Sequence, residues 1–65
     1  MEKLTPREYD VLDLMKHGYD NNEIAKIVFV SKHTVKAHVT SIIRKLNAKN
    51  RTNVIHLAHQ EGLIK

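Results

Sequence analysis

The sequence predicts an all-α fold, a compact domain of four short helices, and three observations carry that reading. Apolar residues recur at helical spacing along the chain. Capping residues stand immediately ahead of the periodic segments, with stop signals behind them. No Gly-rich or Asn-Gly turn joins two β-branched runs, so no strand pair is expected.

The first helix is expected over about 6–16. Thr5 can cap it, Pro6 suits its first position, and Glu8 can reach back to close a capping box. Tyr9, Val11, Leu12, Leu14 and Met15 follow, and Gly18 supplies a left-handed stop. The same device recurs at Asp20 and Glu23, ahead of Ile24, Ala25, Ile27 and Val28, which predicts a helix over about 21–28. Phe29 and Val30 read as a tight apolar turn, after which Ser31 caps a third helix over about 32–46. There Val35, Val39, Ile42 and Leu46 fall at i, i+4, i+7 and i+11, a single apolar stripe. Residues 47–50 break the pattern. A fourth helix over about 51–61 places Val54, Leu57 and Ala58 on a core face, with Gly62 as its stop and Leu63 and Ile64 folding back.

Composition narrows the class. The 65 residues make one domain, 1–65, without cysteine, so neither a disulfide framework nor a Cys-based zinc site is available. The longest apolar run, Ile27-Val28-Phe29-Val30, is far short of the ~20 residues of a membrane span. Met1-Glu2-Lys3 leads directly into patterned sequence, so no signal peptide is expected. A soluble, cytoplasmic chain is predicted. Eleven Lys and Arg against seven Asp and Glu leave a net charge of +4, which suggests a polyanionic partner.

The placement of charge is more informative than its sum. No Asp or Glu occurs between Glu23 and Glu61, while Lys26, Lys32, Lys36, Arg44, Lys45, Lys49 and Arg51 all lie in that interval. Opposite the apolar stripe of the third helix stand Lys32, His33, Lys36, Ala37, Thr40, Ser41 and Arg44. A solvated face ordinarily mixes signs in i,i+4 pairs, and this face has no internal acid to pair with. Its repulsion calls for a partner. A short helix, a turn of about three residues and a longer helix form a helix-turn-helix, whose second helix enters the DNA major groove. Ala37 and Ser41 are small enough to let the backbone approach base edges.

These residues also carry a resemblance. Leu4-Thr5-Pro6-Arg7-Glu8, Glu23-Ile24-Ala25, Ser31 with Thr34-Val35-Lys36 and His38, Lys45-Leu46 and Arg51-Thr52 resemble the LuxR-type DNA-binding domain. That is the effector domain of NarL/FixJ-class response regulators in two-component systems and of quorum-sensing activators. The match covers residues 4–64 in order and spacing. It implies sequence-specific binding to double-stranded DNA at an inverted repeat, transcription regulation, and a homodimer joined through the fourth helix, with RNA polymerase as a further partner. It places Lys36, Ala37 and Thr40 at bases, and Thr34 with neighbouring basic side chains at phosphates: Lys32, Arg44 and Lys45. His33 is either a further base contact or a plain exposed histidine. Two positions depart from the pattern: Thr40 stands where a basic residue is common, and Asn22 where lysine is common. The family's usual receiver or ligand-binding domain is not part of these 65 residues.

Other features receive blander readings. His38 borders the stripe and is expected to pack. Glu8 and Arg51 are either an ion pair joining the first and fourth helices or a cap and a surface charge. His56 and His59 lie three apart, but without cysteine or nearby acids no metal site is expected. Thr52, Ile55, His56 and His59 form one uncharged stripe, a candidate dimer face. Asn50-Arg51-Thr52 fits a glycosylation sequon that a cytoplasmic chain would not use. With no phosphate loop, no cysteine nucleophile and no carboxylate–histidine constellation, neither an enzyme nor a small-molecule site nor a cofactor is expected. The competing reading is a protein-binding module using the fourth helix, its basic face incidental. A membrane-surface helix would need large apolar anchors that the third helix places in its core stripe instead.

Overall fold

The computed structural model describes residues 2–65. It contains α1 (Pro6–Lys16), α2 (Asn21–Val28), α3 (Lys32–Lys45) and α4 (Arg51–Gln60), and no strand among the described residues. The first two helices have the expected bounds. The last two end one residue early, because Leu46 and Glu61 serve as C-caps rather than helical residues.

Each helix begins in the same way. Thr5, Asp20, Ser31 and Asn50 are extended N-caps whose side chains accept a hydrogen bond from the backbone N–H three residues on. In α1 and α2, Glu8 and Glu23 close the reciprocal bond of a capping box.

Each helix also ends in the same way, through a left-handed residue and a bond that wraps back over the last turn. The closing donors are the backbone N–H groups of Tyr19, Val30, Ala48 and Leu63, which reach Leu14, Ala25, Ile43 and Ala58 at 2.9–3.2 Å. The left-handed positions are Gly18 (φ +89°), Phe29 (+58°), Asn47 (+54°) and Gly62 (+72°). Glycine adopts that conformation without strain and Asn tolerates it, but Phe does so at a cost. Phe29 is 92% exposed, so burial does not compensate that cost. The expected apolar turn is therefore divided: Val30 packs against the core and Phe29 faces solvent.

The core is one cluster drawn from every helix. Leu12, Ile24, Ile42, Val11, Val35 and Val54 are its largest fully buried members, and Leu4, Val39, Leu46 and Ala58 extend it. All four stripe residues of α3 are buried, which fixes its opposite side as the outer surface. In α4 the core face differs from expectation. Val54 and Ala58 are fully buried, but Ile55 packs against the core beside them, while Leu57 is half-buried outside that packed set. Arg51 pins this roll, donating to the side chain of Asn21 at the start of α2 (2.5 Å) and to the carbonyl of Tyr19 just before it (2.9 Å).

Candidate nucleic-acid interface

The outer side of α3 presents Lys32, His33, Thr34, Lys36, Ala37, Thr40 and Arg44, every one exposed. His38 is half-buried at the border of the stripe, as expected. The helix is 14 residues long, about 21 Å at 1.5 Å per residue. Its diameter of ~10–12 Å matches the ~12 Å major groove.

The start of α3, like that of α4, is electrostatically unlike the starts of α1 and α2. α1 and α2 carry Glu8 and Glu23 in their first turns, whereas α3 has no acid there. Thr34 occupies the position where a glutamate would close a capping box, its hydroxyl 3.0 Å from that of Ser31. The N-terminal end of the helix dipole, with its free N–H groups, is therefore left positive beside Lys32. A glutamate at this point would strengthen the cap and repel a phosphate.

Two acids outside the basic interval reach α3, contrary to the expectation that its charges have no internal partner. Glu2 accepts a hydrogen bond from Arg44 at 2.7 Å in a pair that is largely solvent-exposed. The bond from Arg44, reinforced by its charge, lowers the Glu2 carboxyl below its ordinary range. Glu8 accepts from Lys45 at 2.7 Å, with side-chain exposures of only 5% and 11%. Lys45 is thus turned inward and is not the exposed phosphate ligand expected of it. Ser41 is also turned from the outer face, donating to Glu8 at 2.6 Å.

Glu8 therefore does more than cap. One carboxylate oxygen accepts from the Thr5 backbone (2.8 Å) and from Lys45, and the other from Ser41. Burial alone would push this carboxyl up, but the hydrogen bonds from Lys45, Ser41 and Thr5, aided by the lysine charge, hold it at about 2. The alternative Glu8–Arg51 pair does not form, since Arg51 is committed to Asn21 and Tyr19. Sequence reasoning missed the Glu8–Ser41–Lys45 cluster because its members lie 33–37 positions apart. The available signal was that Ser41 and Lys45 stand one turn apart on a flank of the apolar stripe.

On α4, Thr52, His56 and His59 are exposed, while Ile55 leans into the core. No group of His, Asp and Glu able to hold a metal ion occurs among the described residues. No helix is long and apolar enough to cross a membrane.

A short capped helix, a left-handed turn and a longer helix whose own outer residues are basic or neutral together define a helix-turn-helix DNA-binding domain. The model of the bacterial regulatory proteins, luxR family, matches residues 2–58, and the chain belongs to that family. It is 42% identical over 64 residues to the uncharacterized transcriptional regulatory protein YxjL of Bacillus subtilis, covering 98% of this chain and 29% of that protein. The response regulator protein VraR of Staphylococcus aureus is likewise 42% identical over 64 residues, covering 98% of this chain and 31% of VraR. The crystal structure of the response regulator ChrA, of a heme-sensing two-component system, superposes with a TM-score of 0.92 at 38% identity, over 98% of this chain and 32% of that one. The chain spans under a third of the length of these relatives. It is a LuxR-type DNA-binding domain of the transcription-regulator class, which is not an enzyme family.

Proposed function

We propose that this domain reads double-stranded DNA by seating α3 in the major groove. Lys36, Ala37 and Thr40 face base edges, with His33 at the rim, and Lys32, Thr34 and Arg44 meet phosphates. The observation that carries this reading is the exposed outer side of α3, which has no acid of its own and is held outward by a stripe whose four members are all buried. Lys36 suits the O6 and N7 acceptors of guanine, Thr40 a thymine methyl or a base-edge acceptor, and Ala37 permits close approach. Arg44 exchanges its exposed partner Glu2 for a phosphate, an exchange that the low worth of exposed ion pairs makes inexpensive.

Two copies bind an inverted repeat, paired through the outer side of α4 at Thr52, His56 and His59. The longest dimension of the domain, 28 Å, lets two copies side by side set their recognition helices one DNA turn, ~34 Å, apart. Ile55, packed against the core, is left out of this face. Residues 1–65 act as one domain of a cytoplasmic transcription regulator that has RNA polymerase as a further partner.

Selection from a pool of random duplexes, followed by sequencing of those retained, tests the reading. Recovery of an inverted repeat supports it, and retention without enrichment of any sequence contradicts it.

A further inference from the structure

The Glu8–Ser41–Lys45 cluster has a geometry that stability alone does not require. A buried ion pair seldom outperforms apolar residues of the same volume, so an apolar contact between α1 and α3 would hold the fold as well. What the cluster adds is direction. The stripe Val35, Val39, Ile42 and Leu46 is held by non-directional burial, which tolerates small rotations and repacking. Hydrogen bonds weaken steeply with misalignment. Glu8 is itself fixed to the Thr5 backbone, and it grips α3 at two points one turn apart, Ser41 at 2.6 Å and Lys45 at 2.7 Å. Lys45 further donates to the Lys3 carbonyl at 3.3 Å. Two anchors on one flank fix a helix against rolling about its axis where one would act as a pivot.

Roll matters at the opposite surface. With side-chain tips ~5–6 Å from the axis, a roll of about 20° carries them ~2 Å, more than the whole distance range of a good hydrogen bond. We propose that the cluster is a positioning device for base readout, setting the rotation at which α3 presents Lys36, Ala37 and Thr40. The proposal rests on the reading of α3 as the recognition helix. Ser41 and Lys45 are positioning residues that act through α3 and touch no base.

The test compares the parent, Glu8→Gln/Lys45→Met and Ser41→Ala on a duplex recovered by selection and on a random duplex. The double substitution removes one charge of each sign and leaves the net charge at +4. A glutamine at the third helical position can still close the capping box, and removing both ions together avoids stranding a buried charge. Ser41→Ala leaves Glu8 its bonds from Thr5 and Lys45, Ala is a better helix former than Ser, and circular dichroism checks that the variant is folded. The expected result is unchanged affinity for random duplex and a specific-to-random ratio reduced about tenfold, within the range by which non-contacting residues tune coupling. Discrimination should weaken at every base step read by α3. A ratio that the double variant retains overturns the clamp while leaving DNA reading intact. Loss confined to Ser41→Ala and to one base step also overturns it, since Ser41 would then touch the base itself. A parent with no preference among duplexes overturns both readings.

Discussion

The Lys45 ammonium lies 2.7 Å from the Glu8 carboxylate, inside a domain whose other lysines all face solvent or its edge. This pair joins the first turn of α1 to the last turn of α3, the helix proposed above to read DNA.

The first prediction concerns acid. Glu8 titrates at about 2 in the folded chain, against ~4.3 for an unfolded glutamate. Its folded value is depressed, so its contribution is fully present above the unfolded value and is lost as pH falls toward 2. The shift corresponds to an order of 3 kcal/mol, comparable to the total ~3–5 kcal/mol expected of a domain this small. Circular dichroism should therefore show cooperative acid unfolding between about pH 4 and pH 2. Glu8→Gln/Lys45→Met should lose much of that dependence. An identical acid transition in the double variant would show that other carboxyls drive it.

The starts of α1, α2 and α3 were legible from sequence because caps act over three residues: a Thr5–Glu8 or Asp20–Glu23 pair announces itself locally, whereas the C-caps Leu46 and Glu61 were read as helical. The α3 stripe was legible for a similar reason, since four apolar residues at helical spacing leave one roll that buries them all. α4 offered no such choice. Ile55 and Leu57 flank Val54 and Ala58 on either side, so hydrophobicity does not say which joins the core, and the anchoring of Arg51 by Asn21 and Tyr19 is invisible locally. The inward turn of Ser41 and Lys45 was hidden likewise. Both can be read as outer-surface residues until the partner Glu8 is placed beside them by the tertiary fold.

Phe29 offers a test of backbone strain. A non-glycine residue in the left-handed region costs ~1–2 kcal/mol, and glycine's unfolded-state entropy recovers ~0.5–1 of this. With its side chain exposed, Phe29→Gly should raise stability by up to about 1 kcal/mol, a gain of several degrees in Tm. A loss of stability in this variant would mean that the ring makes contacts that stabilise the fold.

Arg44 and Glu2 separate phosphate contact from readout. Arg44→Ala should weaken all duplexes alike and reduce the salt slope by about one unit. Glu2→Gln removes the competing anion and should strengthen binding to random duplex, modestly, because the pair is exposed. Salt titrations of both variants check this. Sequence-selective weakening by Arg44→Ala would move that residue from phosphate to base.

The α4 face is tested at His56, which is exposed and outside the core. His56→Glu should leave the fold intact and place like charges against each other in the pair. Gel-shift titration should show half-site binding retained and cooperative binding to the inverted repeat lost. Unchanged cooperativity would place the contact on another surface.

The central claim, that the outer side of α3 reads bases, is tested most directly at Lys36. Fluorescence anisotropy should compare the parent with Lys36→Ala on the selected duplex and on a random one, with circular dichroism confirming the fold. The expected result is a loss of ~1–3 kcal/mol on the selected duplex, relaxed preference at one base step, and a far smaller loss on random sequence. Equal affinity of the two proteins for the selected duplex would contradict the assignment of α3 as the recognition helix.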